Sequence, residues 1–177
     1  LDKEFENDLS ITEDQYLKMI EKKTGSLLGA CAEMPATLVG ADEEVVNSFD
    51  KFGRALGIGF QIHDDLLEIY GNPNVMGKSL GSDIAEGKQT LLVIKARNQF
   101  RKEWDDIVGD SDKSNLMEKI RSFFTEKGIE DETKEMAQSY FKSARNSLEN
   151  IGDLNRDELN EFILKLPKKI LLIIDAA

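Results

Sequence analysis

An all-α protein is predicted by three features of this sequence. Apolar residues recur every three or four positions, capping signals precede the apolar runs, and no segment alternates apolar and polar residues long enough to suggest a sheet. There is no internal repeat and no low-complexity linker, so residues 1–177 are expected to form a single all-α unit with a real core.

Composition narrows the function. Apolar content of 40% and charged content of 32% suit a soluble globular chain. A formal net charge of −11 argues against nucleic acid or an anionic membrane surface as partner. No apolar run approaches the ~20 residues that a transmembrane helix needs. The chain opens Leu1-Asp2-Lys3-Glu4, with neither methionine nor an apolar leader, which suggests a processed product or a fragment. Cys31 is the sole cysteine, which excludes an internal disulfide and is compatible with a reducing, cytoplasmic setting. His63 is the sole histidine, which excludes zinc sites with two histidine ligands and argues against a Ser-His-Asp triad.

Residues 1–11 are acidic and poorly patterned. Thr12 with Gln15 is a capping box, and the helix it starts carries Tyr16, Ile20, Leu27, Cys31 and Met34 on one expected stripe, with Lys23 in its middle. Lys23 there either snorkels outward or points into a polar cavity. Gly25, Ser26, Gly29, Ala30 and Ala32 are small enough for close backbone packing. Pro35 is expected to end or kink the helix, and Gly40 to close the segment. Asp42 then reads as the N-cap of a long central helix that runs to Tyr70 and stops at Gly71-Asn72-Pro73. A loop follows over residues 71–88. Thr90–Ile94 is apolar on all sides; a short strand is possible, but the flanking residues favour a buried helix. Leu116, Ile120, Phe123 and Phe124 mark another helix, and Met136, Tyr140, Ala144, Leu148 and Ile151 the next. Asn155 with Glu158 caps a last one.

Chemistry concentrates in the central helix. Gln61, Asp64, Asp65 and Glu68 stand at i, i+3, i+4 and i+7, on one arc beside an apolar stripe of Phe49, Phe52, Leu56, Phe60 and Leu67. Carboxylates four residues apart repel by about 0.2–0.5 kcal/mol, a cost that an acidic surface tolerates and a bound cation would relieve. The loop beyond adds Gly77-Lys78, Gly81-Ser82-Asp83 and Gly87-Lys88-Gln89-Thr90. Carboxylates on a rigid helix, with lysines on a glycine-rich loop, suit a magnesium-bound polyphosphate. A P-loop is rejected, because Asn72 stands where its first glycine is required and a helix precedes it. An EF-hand lacks its alternating acidic loop. Nothing supports Asp64 and Glu68 as a glycosidase pair. His63 reads as a packing residue or a support to its neighbours.

Together these motifs resemble the C-terminal half of a trans-isoprenyl diphosphate synthase, of the polyprenyl synthetase family, from about Asp2 to Ala96. Lys23-Thr24 is similar to the family's lysine-threonine pair and Gly59-Phe60-Gln61 to its phenylalanine-glutamine signature. Asp64-Asp65-Leu66-Leu67-Glu68 resembles its second aspartate-rich motif. The resemblance implies an isoprenoid-synthase-type helical bundle around a cavity, usually a homodimer. It implies a prenyltransferase that condenses an allylic diphosphate with isopentenyl diphosphate using Mg²⁺. On the matching positions, Asp64, with Asp65 and Glu68 nearby, would serve the metal. Lys23, Lys78 and Lys88 would bind the allylic diphosphate. Thr24 and Gln61 would stabilise developing positive charge, and Lys23 would point into the cavity, which Ser26, Leu27 and Ala30 would help to line.

Two departures follow from the same comparison. Glu68 stands where the family motif ends in Asp, and the first aspartate-rich motif with the residues that bind isopentenyl diphosphate falls in an N-terminal half that precedes this segment. The expectation is a fragment that is inactive alone and completed by that half. The alternative is a non-catalytic diphosphate-binding subunit. A terpene cyclase is disfavoured, since its Asn/Ser/Glu triad is not the pattern here.

Overall fold

The computed structural model describes residues 8–71, 84, 87–110, 115–149 and 151, and every regular element among them is helical. The first is α1 (Glu13–Ile20), which starts as the capping box requires. Thr12 Oγ1 accepts from the Gln15 backbone N–H at 3.2 Å, and Gln15 Oε1 accepts from the Thr12 N–H at 2.9 Å. The helix does not continue in α register. Residues Glu21–Gly25 form a π segment, closed by the Ser26 N–H donating to the Glu21 carbonyl, before α2 (Ser26–Leu38) resumes.

That π segment corrects one expectation. An inserted residue turns everything after it by about 100° relative to a continuous α-helix, so the predicted stripe divides. Tyr16 and Ile20 are buried, whereas Leu27 is 65% and Met34 55% exposed, and Cys31 is also exposed. The face of α2 that packs inward carries Gly29 and Ala36. Pro35 does not end the helix; α2 runs three residues past it. Its terminus is a Schellman motif, in which the Ala41 N–H reaches the Ala36 carbonyl and the Gly40 N–H the Thr37 carbonyl. Gly40 has φ +71°, a conformation that glycine adopts without a Cβ penalty.

The centre of the molecule is α3 (Glu43–Tyr70), 28 residues long and bounded as expected at both ends. Asp42 occupies the N-cap position with extended backbone but makes no side-chain cap. A Cβ on Gly53 would lie 2.2 Å from the Leu28 carbonyl oxygen, and one on Gly57 2.8 Å from the Gly25 Cα. The absent side chains are what let α3 lie against α2 and the π segment. Of the predicted apolar stripe, Phe52 and Leu67 are buried, Phe49 and Leu56 half-buried, and Phe60 is 42% exposed.

Two further layers close on α3. Helix α4 (Leu91–Gly109) is buried all round over residues 91–97, which settles the helix-or-strand question in favour of helix. Two charges are carried in with it. Lys95 is 6% exposed and bridges Glu13 at 3.3 Å and Glu132 at 2.9 Å, tying α4 to α1 and to α6 (Ile129–Asn146). Burial pulls its pKa down, but the bonds to Glu132 and Glu13 prevail and hold it above the ordinary lysine value. Phe100 breaks the helical geometry of α4 at φ −137°, ψ 42°. Beyond this break, Trp104 stacks on Phe124 with centroids 5.5 Å apart, which seats α5 (Leu116–Glu126). Gly128, at φ +72°, turns the chain into α6, where Ala137 and Phe141 pack with Ile58 and Ile62 of α3. No helix among the described residues is long and apolar enough to cross a membrane. Asn155, Glu158 and the helix they were expected to start lie outside the described residues.

Candidate active site

The candidate site lies where the C-terminal half of α3 meets the π segment and the turn before α4. The π segment places Thr24 beside α3, where its Oγ1 donates to Gln61 Oε1 at 3.1 Å. This bond orients the Gln61 amide. Lys23, one residue earlier, is exposed. The Ser26 hydroxyl donates to the Glu21 carbonyl and accepts from Arg54.

Along α3 the acidic residues sink progressively into the protein. Gln61 and Asp64 are half-buried, Asp65 is 7% exposed and Glu68 only 1%. Consecutive residues on a helix diverge by about 100°, so Asp64 and Asp65 cannot face the same way. Asp65 faces inward. Its Oδ2 accepts from the Tyr16 hydroxyl at 2.7 Å and from the Leu91 backbone N–H at 2.9 Å. A carboxylate at the first turn of α4 satisfies one of that helix's open N–H groups and complements its dipole. Asp65 therefore ties α1, α3 and α4 at one point. Among the described residues, no group of three or more His, Cys, Asp or Glu side chains is gathered closely enough to hold a metal ion unaided.

The same junction fixes the turn that carries Lys88. Gly87 has φ +74°, and its carbonyl accepts from Gln89 Nε2 at 2.9 Å. The Gln89 amide oxygen accepts a short bond from Arg97, which is 4% exposed and also donates to the Ile11 carbonyl at 2.7 Å. Thr90 caps α4 through the Val93 N–H. Lys88, half-buried, thus stands on a turn that is pinned on both sides. Sequence reasoning missed Tyr16 and Arg97. Tyr16 was visible only as an apolar stripe residue, and Arg97 only as a flank of a buried run. Lys78 lies outside the described residues, as do Gly77 and Gly81-Ser82-Asp83.

His63 is 5% exposed, and its Nδ1 has no hydrogen-bond partner among the described residues. Burial, with some help from the nearby Lys134 charge, pushes its pKa below the ordinary value and favours the neutral imidazole. A neutral ring packed into α3 fits the expected supporting role. The oxygen chemistry of Asp64 fits a hard divalent cation. Magnesium is commonly held by one or two carboxylates, with phosphate oxygens and water completing its shell, so a full protein cage is not required.

Known proteins share this fold and sequence pattern. The family model for polyprenyl synthetase matches residues 1–126. A geranylgeranyl pyrophosphate synthase from Geoglobus acetivorans is 42% identical over 153 residues, covering 86% of this chain and 47% of that protein. The crystal structure of a decaprenyl diphosphate synthase from Rhodobacter capsulatus superposes with a TM-score of 0.83 at 31% identity, over 96% of this chain and 54% of that one. A polyprenyl synthase from Caulobacter crescentus, solved in complex with calcium and isoprenyl diphosphate, superposes at 0.79 with 28% identity, over 92% of this chain and 51% of that one. The chain spans about half the length of the curated relatives it matches. With its all-α isoprenoid-synthase bundle and its acidic helix set against a pinned lysine turn, the chain belongs to the polyprenyl synthetase family.

Proposed function

We propose that this chain supplies the diphosphate-ionising half of a trans-prenyltransferase, which condenses an allylic diphosphate with isopentenyl diphosphate to a longer polyprenyl diphosphate. The observation that carries the reading is the pinned junction of α3, the π segment and the Lys88 turn. The complex of the Caulobacter relative with calcium and isoprenyl diphosphate supports it. Lys23, Lys88 and Lys78 hold the diphosphate oxygens of the allylic substrate as point charges. Asp64 is the carboxylate best placed for magnesium, with Glu68 deeper on the same arc. Asp65 serves that site chiefly by fixing α4 and the Lys88 turn.

Ionisation breaks the allylic C–O bond, and the electron pair leaves with the diphosphate. Bound magnesium would supply Lewis-acid neutralisation of that leaving charge. The protein's own contribution would be electrostatic: lysine charge where negative charge grows, and the Thr24–Gln61 pair presenting oxygen dipoles where positive charge grows. The double bond of isopentenyl diphosphate then attacks the cation, and a proton is lost. The rest of the site is assigned to the N-terminal portion that the relatives possess beyond this segment. On this reading the chain is one part of a single catalytic unit, which works as a homodimer in the cytoplasm.

Calorimetric titration with an unreactive allylic diphosphate analogue tests the assignment on the protein expressed from its complete coding sequence. Binding that requires Mg²⁺ and falls at least tenfold in Asp64→Ala is expected, since a lost charge-assisted contact is worth about 1.5–3 kcal/mol. Equal binding by the variant would exclude Asp64 as a ligand. Tight binding without any condensation product would favour the non-catalytic subunit.

A further inference from the structure

We infer that Arg54, acting through Ser26, is a positioning residue that holds Glu21–Gly25 in π register, and that this register is what sets Thr24 against Gln61. The inference rests on the diphosphate site proposed above but concerns residues outside it.

A π turn is intrinsically less favourable than the α turn it replaces and persists only where its surroundings hold it. The defining bond here runs from the Ser26 N–H to the Glu21 carbonyl. That carbonyl receives a second donor, the Ser26 hydroxyl, at 3.1 Å. Having given its proton away, the Ser26 oxygen accepts from Arg54 Nη1, also at 3.1 Å. The guanidinium is itself fixed by both Asp50 oxygens, which Nε meets at 2.8 and 2.7 Å, and Nη1 lies 3.9 Å from Glu21 Oε1. Asp50 sits close against Gly29, where a Cβ would come within 2.5 Å of its Oδ1.

The relay runs Asp50, Arg54, Ser26, Glu21, and it ends on a carbonyl that accepts an i→i+5 bond of the π segment. Arg54 and Gln61 are seven residues apart, hence on one face of α3. The face therefore grips the π segment twice, through Ser26 by Arg54 and through Thr24 by Gln61. The Arg54 side chain is 37% exposed, so the ion pair with Asp50 has little worth as a charge pair. Its use lies in aiming Nη1 at Ser26. Were the segment to relax to α register, the chain before it would turn by about 100° and Thr24 would leave Gln61.

Arg54→Ala, Ser26→Ala and the double variant test this on the protein expressed from its complete coding sequence. Amide hydrogen exchange reads the register directly, and Mg²⁺-dependent binding of the unreactive allylic diphosphate analogue reads its consequence. Each single variant is expected to speed exchange at the amide of position 26, relative to the intrinsic rate of the residue there, by about tenfold, the equivalent of one hydrogen bond, and the double variant no more than either alone. Analogue affinity should fall in parallel. Unchanged exchange in both single variants, or effects that add in the double, would overturn the relay. Faster exchange with unchanged affinity would overturn its link to the site. If the unsubstituted protein binds no analogue, the proposed function fails while the exchange result still decides the relay. Should Arg54→Ala fail to fold, Ser26→Ala carries the same exchange and affinity criteria.

Discussion

The Tyr16 hydroxyl shows how a single buried group organises the site. It donates to the carboxylate of Asp65, a residue 7% exposed, so its removal takes a donor from a buried charge. Tyr16→Phe should destabilise the protein by about 1.5–3 kcal/mol, measured by denaturant unfolding. His63 predicts a pH effect. Its folded pKa lies below the unfolded value of 6.5, so the neutral ring contributes stability that is complete above pH 6.5 and is lost as pH falls beneath it. Glu130 and Glu132 are held below their ordinary value of 4.5, by partners that include Lys134 and Lys95 respectively, so their losses belong to a more acidic window. Unfolding free energy should therefore decline between pH 6.5 and 5, and the decline should flatten in His63→Leu. The order of Gln61, Asp64, Asp65 and Glu68 along one helix could be read from the sequence, because they fall inside a long run with helical spacing. The bonds of Tyr16 and Arg97 could not, since they span 49 and 86 residues of chain and depend on how helices dock.

Among the elements, helix existence and type were legible, but the face each helix presents was not always so. The capping box, the long central helix and the α4 run follow from local signals. The π segment does not, because no residue pattern separates i→i+5 from i→i+4 bonding over a single turn. The consequence was the misplacement of Leu27, Cys31 and Met34. The small residues of α2 were recognised, and their counterpart is Gly53 on α3. A methyl group there would meet the Leu28 backbone at 2.2 Å, and a backbone cannot swing aside as a flexible side chain can. Gly53→Ala should cost about 3 kcal/mol, the upper range for overpacking, as a lowered denaturation midpoint with an unchanged slope.

At the scale of the molecule, the described helices form three apolar clusters along α3, and Leu27, Met34 and Leu38 of α2, with Val39 just after it, are exposed. The first cluster joins α1, α3, α4 and α6 directly beneath the Asp65 junction, so the lysine turn and the acidic helix share one packed foundation. The most direct measurement is incorporation of isopentenyl diphosphate into polyprenyl product by the protein expressed from its complete coding sequence, with and without Mg²⁺, and in Asp64→Ala. The account predicts Mg²⁺-dependent elongation of an allylic diphosphate, reduced at least a hundredfold in the variant, as expected for losing charge stabilisation of a transition state. Elongation by Asp64→Ala at the unsubstituted rate, or none by the unsubstituted protein, would contradict it.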